Sequence, residues 1–168
     1  MIDSLTGWAE AVPIEYQRAV TVAHAVYAEW IARYGVFEHI NFDRGTQFES
    51  ALFEKLCLAF GIDTSRTTPY RPQANGKCER FNRTLITMLR RAVQKRLYDW
   101  EPLLPAVLQA YRFTQSESTG FTPSRLVFGR EMCLPVDIVT PLPEPRRDIR
   151  TYANILSEDL EWAYKVAR

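Results

Sequence analysis

Two carboxylates and a run of arginines are the residues best equipped for chemistry. Asp43 ends the segment EHINFD, in which Ile40 and Phe42 alternate with polar residues, and Arg44-Gly45-Thr46 follows as turn chemistry. In open α/β sheets ligands gather at the carboxyl ends of strands, so Asp43 occupies a favoured position. After 35 intervening residues comes Glu79, at the start of a helical segment preceded by the loop TPYRPQANGK. Between Thr64 and Arg96 nine basic residues (Arg66, Arg71, Lys77, Arg80, Arg83, Arg90, Arg91, Lys95 and Arg96) accompany that one acid, a net of +8. The flanks carry −5 (Met1 to Asp63) and −2 (Leu97 to Arg168). A basic block this dense suits a surface that meets phosphates, and a solvated helix face is the plainer alternative. On a helical projection of about 100° per residue, Phe81, Leu85, Met88 and Ala92 form one apolar stripe. Glu79 lies roughly opposite, with Arg83 about 40° and Arg90 about 20° from it. A carboxylate so placed is either a surface ion pair or a ligand for a hard divalent cation, which takes oxygen donors and is held in phosphoryl-transfer sites by carboxylates and substrate phosphates. Tyr70, in the loop, has a ring that can stack on an unpaired base or sugar, or simply pack.

These groups need elements to hold them. Gly7 to Ile14 is predicted as a strand closed by Pro13, and Arg18 to Tyr34 as a helix whose apolar Ala19, Val22, Ala23, Val26 and Trp30 recur at three and four. A brief strand ends at Asp43, a second amphipathic helix runs from Phe48 to Phe60, and Ile62 to Thr67 is a weak strand. The two prolines and Asn75-Gly76 keep TPYRPQANGK irregular; a long helix then spans Cys78 to Arg96, and another spans Asp99 to Phe113 after a break at Leu97-Tyr98. Strands alternating with helices predict a mixed α/β sheet with covering helices. The expected organisation is a core over 1–135, a Pro-rich linker over 136–148 containing TPLPEPRRD, and a helix over 149–168 in which Leu156, Leu160, Trp162 and Tyr164 are apolar enough to dock on something. Trp8 and Trp30 are expected in the core, His24 on the surface, and His39 in a capping or packing role.

Composition removes other classes. A chain of 168 residues, 46% hydrophobic and 24% charged, is long enough for a real core and is not of disordered type. No apolar run reaches the roughly 18 residues of a membrane-spanning helix, so no membrane partner is expected. Cys57, Cys78 and Cys133 are far apart and accompanied only by His24 and His39, which argues against a disulfide framework or a zinc module and fits a reducing compartment.

The pair NFDRGTQFES and TTPYRPQANGKCERFNRTL resembles the integrase catalytic core of retroviruses and Ty3/gypsy-type retrotransposons, whose second acid and glutamate have the same separation. TGWAEAVPI and TGFTPSRLVFGREMCLP extend the likeness from about Ile2 to Asp137. The resemblance implies a ribonuclease H-like mixed sheet flanked by helices. It also implies Mg²⁺- or Mn²⁺-dependent phosphoryl transfer: water cuts the 3′ end of element DNA, and the freed 3′ hydroxyl attacks target DNA. Asp43 and Glu79 would be the second and third metal-binding acids, and Arg83 the basic residue one turn on that contacts DNA. Tyr70 and Asn75 match loop positions near the DNA end, and Lys77, Arg80 and Arg90 complete the expected nucleic-acid face. Where retroviral members carry a further basic residue, this chain has Ile86. DNA is the implied partner, a homodimer through the core helices a further one, and the nucleus the place of action.

The family's first acid lies on its first strand, upstream of a Gly-Pro turn. Met1-Ile2-Asp3 matches the end of the second strand, so the chain reads as an N-terminally truncated core lacking that central strand. Asp3 is a poor substitute for the missing acid, and two carboxylates suit one cation better than two. The polypeptide alone is therefore expected not to integrate DNA. The alternatives are a non-catalytic nucleic-acid-binding remnant, or a dimerisation module using the helix from Trp100 to Tyr111; burial of Trp100 and Leu104 within one subunit would remove that surface.

Overall fold

The structure, a computed structural model, describes residues 1–43, 45–66, 73–96, 99–133 and 149–167, with the backbone alone at 73–75, 94–96 and 149–153. It divides into two units, Met1 with Glu10–Glu101, and Ile2–Ala9 with Pro102–Arg168.

In the first unit α1 (Ala19–Val26) continues through a π turn (Tyr27–Ile31) into α2 (Ala32–Tyr34), and Gly35, at φ 86°, ends the run. The helix expected over 18–34 therefore forms, with one local change. A π turn takes up an extra residue, which places Ile31 rather than Trp30 among the buried side chains Ala23 and Val26. Trp30 is only partly buried, its ring 5.6 Å from that of Tyr34.

Two parallel strands follow, β1 (His39–Phe42) and β2 (Asp63–Arg66), paired from His39 with Asp63 to Phe42 with Arg66. Parallel neighbours need a crossover, here α3 (Ala51–Phe60). It starts three residues later than Phe48, where the Ser50 hydroxyl accepts the Phe53 N–H at 3.2 Å. It stops at Gly61, whose left-handed φ of 65° a residue with a Cβ rarely adopts. Phe53 and Cys57 on α3, with Phe42, Ile62 and the buried face of α1, form the core. The rings of Phe42, Phe48 and Phe53 lie 5.2–5.6 Å apart, within the spacing of favourable aromatic pairs. That ring cluster anchors the last residue of β1, immediately before Asp43. Burial pushes the Cys57 thiol up, so it stays protonated and behaves as a small apolar side chain.

The long helix α4 (Gln73–Arg96) packs against β1. It begins five residues earlier than Cys78, so Asn75-Gly76 is helical, contrary to the expected loop. Gly in a helix interior costs about 1 kcal/mol relative to Ala, a penalty that 24 residues with a buried stripe readily absorb. The expected loop positions 68–72 and the break at Leu97-Tyr98 lie outside the described residues.

The second unit begins with a turn. The strand expected over 7–14 is reduced to an isolated antiparallel bridge between Ile2 and Ala9. An Asp3 carboxylate oxygen accepts the Thr6 N–H at 2.7 Å, and Gly7 sits at φ 72°, which commits the segment to a tight reversal. Pro13 has no N–H to give to a ladder. The sheet among the described residues is thus two-stranded and parallel, not the mixed sheet expected. Trp8 is buried as expected. The Arg112 guanidinium lies 4.4 Å from its ring centroid and donates from Nε and Nη2 to the Ala9 carbonyl at 3.0 and 2.7 Å; the Phe128 ring meets the indole edge-on at 5.2 Å.

Arg112 belongs to α5 (Leu104–Phe113), which follows a 3₁₀ turn over Glu101–Leu103 where helix was expected from Asp99; Pro105 sits in its first turn. A short helix not foreseen from the sequence, α6 (Pro123–Phe128), is capped by the Thr122 hydroxyl and closed by Gly129. The last helix, α7 (Ile149–Ala167), docks on α6: Ala163 is buried and the Trp162 ring meets Phe121 at 5.3 Å. A Cβ on Gly129, whose φ is +70°, would run into the Leu156 side chain. That helix therefore covers α6 within its own unit. Residues 136–148 lie outside those described.

Candidate functional site

Every expected site residue that the structure describes belongs to the first unit. Asp43 stands immediately beyond the carboxyl end of β1, exposed, with its Oδ1 accepting the Gly45 N–H at 3.0 Å. This hydrogen bond fixes one oxygen and leaves the other without a partner among the described residues. Glu79 is the seventh residue of α4, also exposed. Because α4 packs on β1, the structure brings together the two elements that carry the acids.

The two faces of α4 divide as the 3.6-residue period requires. Phe81 is buried and Leu85, Met88 and Ala92 are half-buried, whereas Glu79, Arg80, Arg83 and Arg90 are exposed. Among the described residues the recorded salt bridges are Arg33 with Glu10 and Glu29, and Arg66 with Glu49 and Glu54. The surface ion pair that would have explained Glu79 is therefore not formed with Arg80, Arg83 or Arg90. Lys77 is exposed too, Ile86 is 48% exposed on the same stripe, and the Asn75 backbone lies in the first turn of α4. Tyr70 lies outside the described residues.

The donor chemistry can be matched to a metal. Carboxylate oxygens suit a hard cation that keeps most of its water shell. No group of three or more His, Cys, Asp or Glu side chains able to hold a metal occurs among the described residues. In donor type, two carboxylates match one such cation; a two-metal clamp calls for more bridging oxygen than two carboxylates provide.

Sequence reasoning missed a polar network beside this site. His39 Nε2 lies 2.7 Å from Ser65 Oγ, which donates to Asn41 Oδ1 at 3.3 Å. The available signal was the period of two through His39, Asn41 and Asp43. His24 is exposed, as expected. Trp100 is 45% exposed and Leu104 buried, so the helix proposed as a partner surface keeps only one of its two leading residues. Among the described residues no helix is long and apolar enough to cross a membrane.

No family model matches the chain. A solved structure is decisive: the catalytic core domain of BIV integrase matches with a TM-score of 0.65 at 30% identity, over 76% of this chain and 82% of that one. The chain belongs to the integrase catalytic-core family of retroviral and retrotransposon Pol polyproteins. This integrase core is 34% identical to the Gag-Pol polyprotein of feline leukemia virus over 129 residues, or 76% of its length. It is 32% identical to the retrovirus-related Pol polyprotein from transposon 412 of Drosophila melanogaster along 100% of its length. It spans only 8% and 14% of those polyproteins. The HTLV-2 integrase catalytic core, solved in complex with magnesium in a trimeric form, shares the fold at 19% identity, with a TM-score of 0.64 over 75% of this chain and 80% of that one. The ribonuclease H-like expectation holds at the level of fold, and the relation to DNA integration holds at the level of family.

Proposed function

We propose that this integrase core grips the phosphate backbone of DNA through the exposed face of α4 and holds one Mg²⁺ or Mn²⁺ ion between Asp43 and Glu79. The observation that carries this reading is the unneutralised arginine face of a helix packed on the strand that ends at Asp43. Lys77, Arg80, Arg83 and Arg90 provide cations for phosphate oxygens, and guanidinium forks suit such oxygens in pairs. Tyr70 and Asn75 are assigned to the DNA end, Tyr70 as a stacking surface. The reaction class is the cutting and joining of DNA 3′ ends. A bound cation polarises a phosphoryl oxygen and stabilises the charge that develops there. Asp43, tethered by the Gly45 N–H, keeps one oxygen for that ion, and Glu79 approaches from the second turn of α4.

As a 168-residue polypeptide the core is expected to bind DNA without joining it, because its two acids hold one cation where the two-metal reaction needs a pair. Duplex binding and strand transfer measured side by side on the purified chain test this, with binding and no joined product as the expected outcome. Mn²⁺-dependent joining that Asp43→Asn abolishes would overturn the non-catalytic part, and absence of binding would overturn the whole. Self-association through the core helices is a weaker second reading: exposed Trp100 favours it, but Leu104, Val107 and Leu108 are buried within their own unit.

A further inference from the structure

Resting on the reading of Asp43 as a cation ligand, we propose that His39 and Ser65 are positioning residues for that carboxylate, acting through Asn41. Side chains at alternate positions of a strand share a face. His39 and Asn41 therefore lie on the same side of β1, and Asp43 continues the row just beyond the strand end. Across the parallel ladder Ser65 is in register with Asn41. The Ser65 hydroxyl has one proton, and it goes to Asn41 Oδ1 at 3.3 Å. His39 Nε2 lies 2.7 Å from the same hydroxyl, and in the Nε2–H tautomer the imidazole donates to it. The result is a directed chain, His39 N–H to Ser65 to Asn41, that ties the two strands together on their polar face.

The tie adds a side-chain link on the polar face to the ladder and core packing that hold these strands. Each is four residues long, and among the described residues the sheet has two strands, a size that gains from side-chain support. Phe42 fixes the core side of the β1 end through its ring contacts. The hydrogen-bonded row fixes the opposite side, one residue earlier, at Asn41. Asp43 then leaves the strand from a backbone held on both faces, and the Gly45 N–H sets its Oδ1. Loss of the Ser65 hydroxyl frees the Asn41 side and broadens the range of positions open to Asp43 while the core remains intact.

Mn²⁺ binding by the purified chain, followed by water-proton relaxation, tests the assignment. Ser65→Ala and His39→Ala are each expected to weaken Mn²⁺ binding about fivefold, the equivalent of one net hydrogen bond near 1 kcal/mol. Ser65→Thr keeps an Oγ and His39→Gln keeps a side-chain N–H, so both are expected to restore most of the affinity. Arg66→Ala, on the same strand, removes the ion pairs to Glu49 and Glu54 without touching the row, and is expected to leave Mn²⁺ affinity unchanged. Equal weakening by Arg66→Ala, or no rescue by Ser65→Thr, would reduce the row to general sheet support and overturn the proposal. Mn²⁺ binding indifferent to Ser65→Ala would overturn it and leave the acid pair standing. A chain that binds no Mn²⁺ at all would overturn both.

Discussion

Reversing the charge at Arg83 and Arg90 together is expected to lower the affinity for a DNA duplex about 100-fold near 100 mM salt and to flatten its salt dependence by about two units of log–log slope. Each basic residue that neutralises a phosphate releases a condensed counterion and contributes about 0.9 to that slope. Two reversals remove two attractions and add two repulsions, and four such changes at about 0.7 kcal/mol each amount to nearly 3 kcal/mol, or about two decades. Both side chains are exposed, so thermal stability should stay within about 0.5 kcal/mol of the parent. Fluorescence anisotropy across a salt series measures affinity and slope together. An affinity within threefold of the parent, with the slope unchanged, would remove α4 from the DNA interface.

The second large effect is structural and reaches the site from beneath. Phe53→Ala is expected to cost about 3–5 kcal/mol, a large share of a typical domain stability of 5–15 kcal/mol. Phe53 is 1% exposed, and its ring meets both Phe42 and Phe48. Truncation leaves a cavity beside the two remaining rings, and Phe42 is the residue directly before Asp43. Urea unfolding should show a lower midpoint, and Phe53→Leu should recover more than half of the loss because it refills most of the volume. A cost below about 1 kcal/mol would mean that the ring cluster does not anchor the end of β1.

What could be read from the residues alone follows from how local each signal is. The helices at 19–34, 51–60 and 149–167 and the part of α4 from Cys78 on announce themselves through apolar spacing, and the two faces of α4 follow from one projection. The strand ending at Asp43 was legible because Ile40 and Phe42 alternate with polar neighbours. The segment from Gly7 to Ile14 misled, because an apolar run looks the same whether it pairs in a ladder or turns back through an Asp3 carboxylate and a left-handed glycine. The start of α4 is hidden in the sequence, since Asn75-Gly76 carries turn propensity that the length of the helix overrides. The π turn, which exchanges Trp30 for Ile31, leaves no periodic mark in the sequence. The row through His39, Ser65 and Asn41 depends on register between strands 24 residues apart, which no local pattern encodes. Asp43 and Glu79 stand out as candidate acids through motif likeness, while the packing of their two elements required the fold.

The most direct measurement is an anomalous difference map from a crystal of this chain soaked in Mn²⁺. One peak is expected, with a carboxylate oxygen of Asp43 and one of Glu79 both at about 2.1 Å from the ion. A peak that touches only one of those side chains, or a map without any peak beside Asp43 at saturating Mn²⁺, would contradict the shared-cation site.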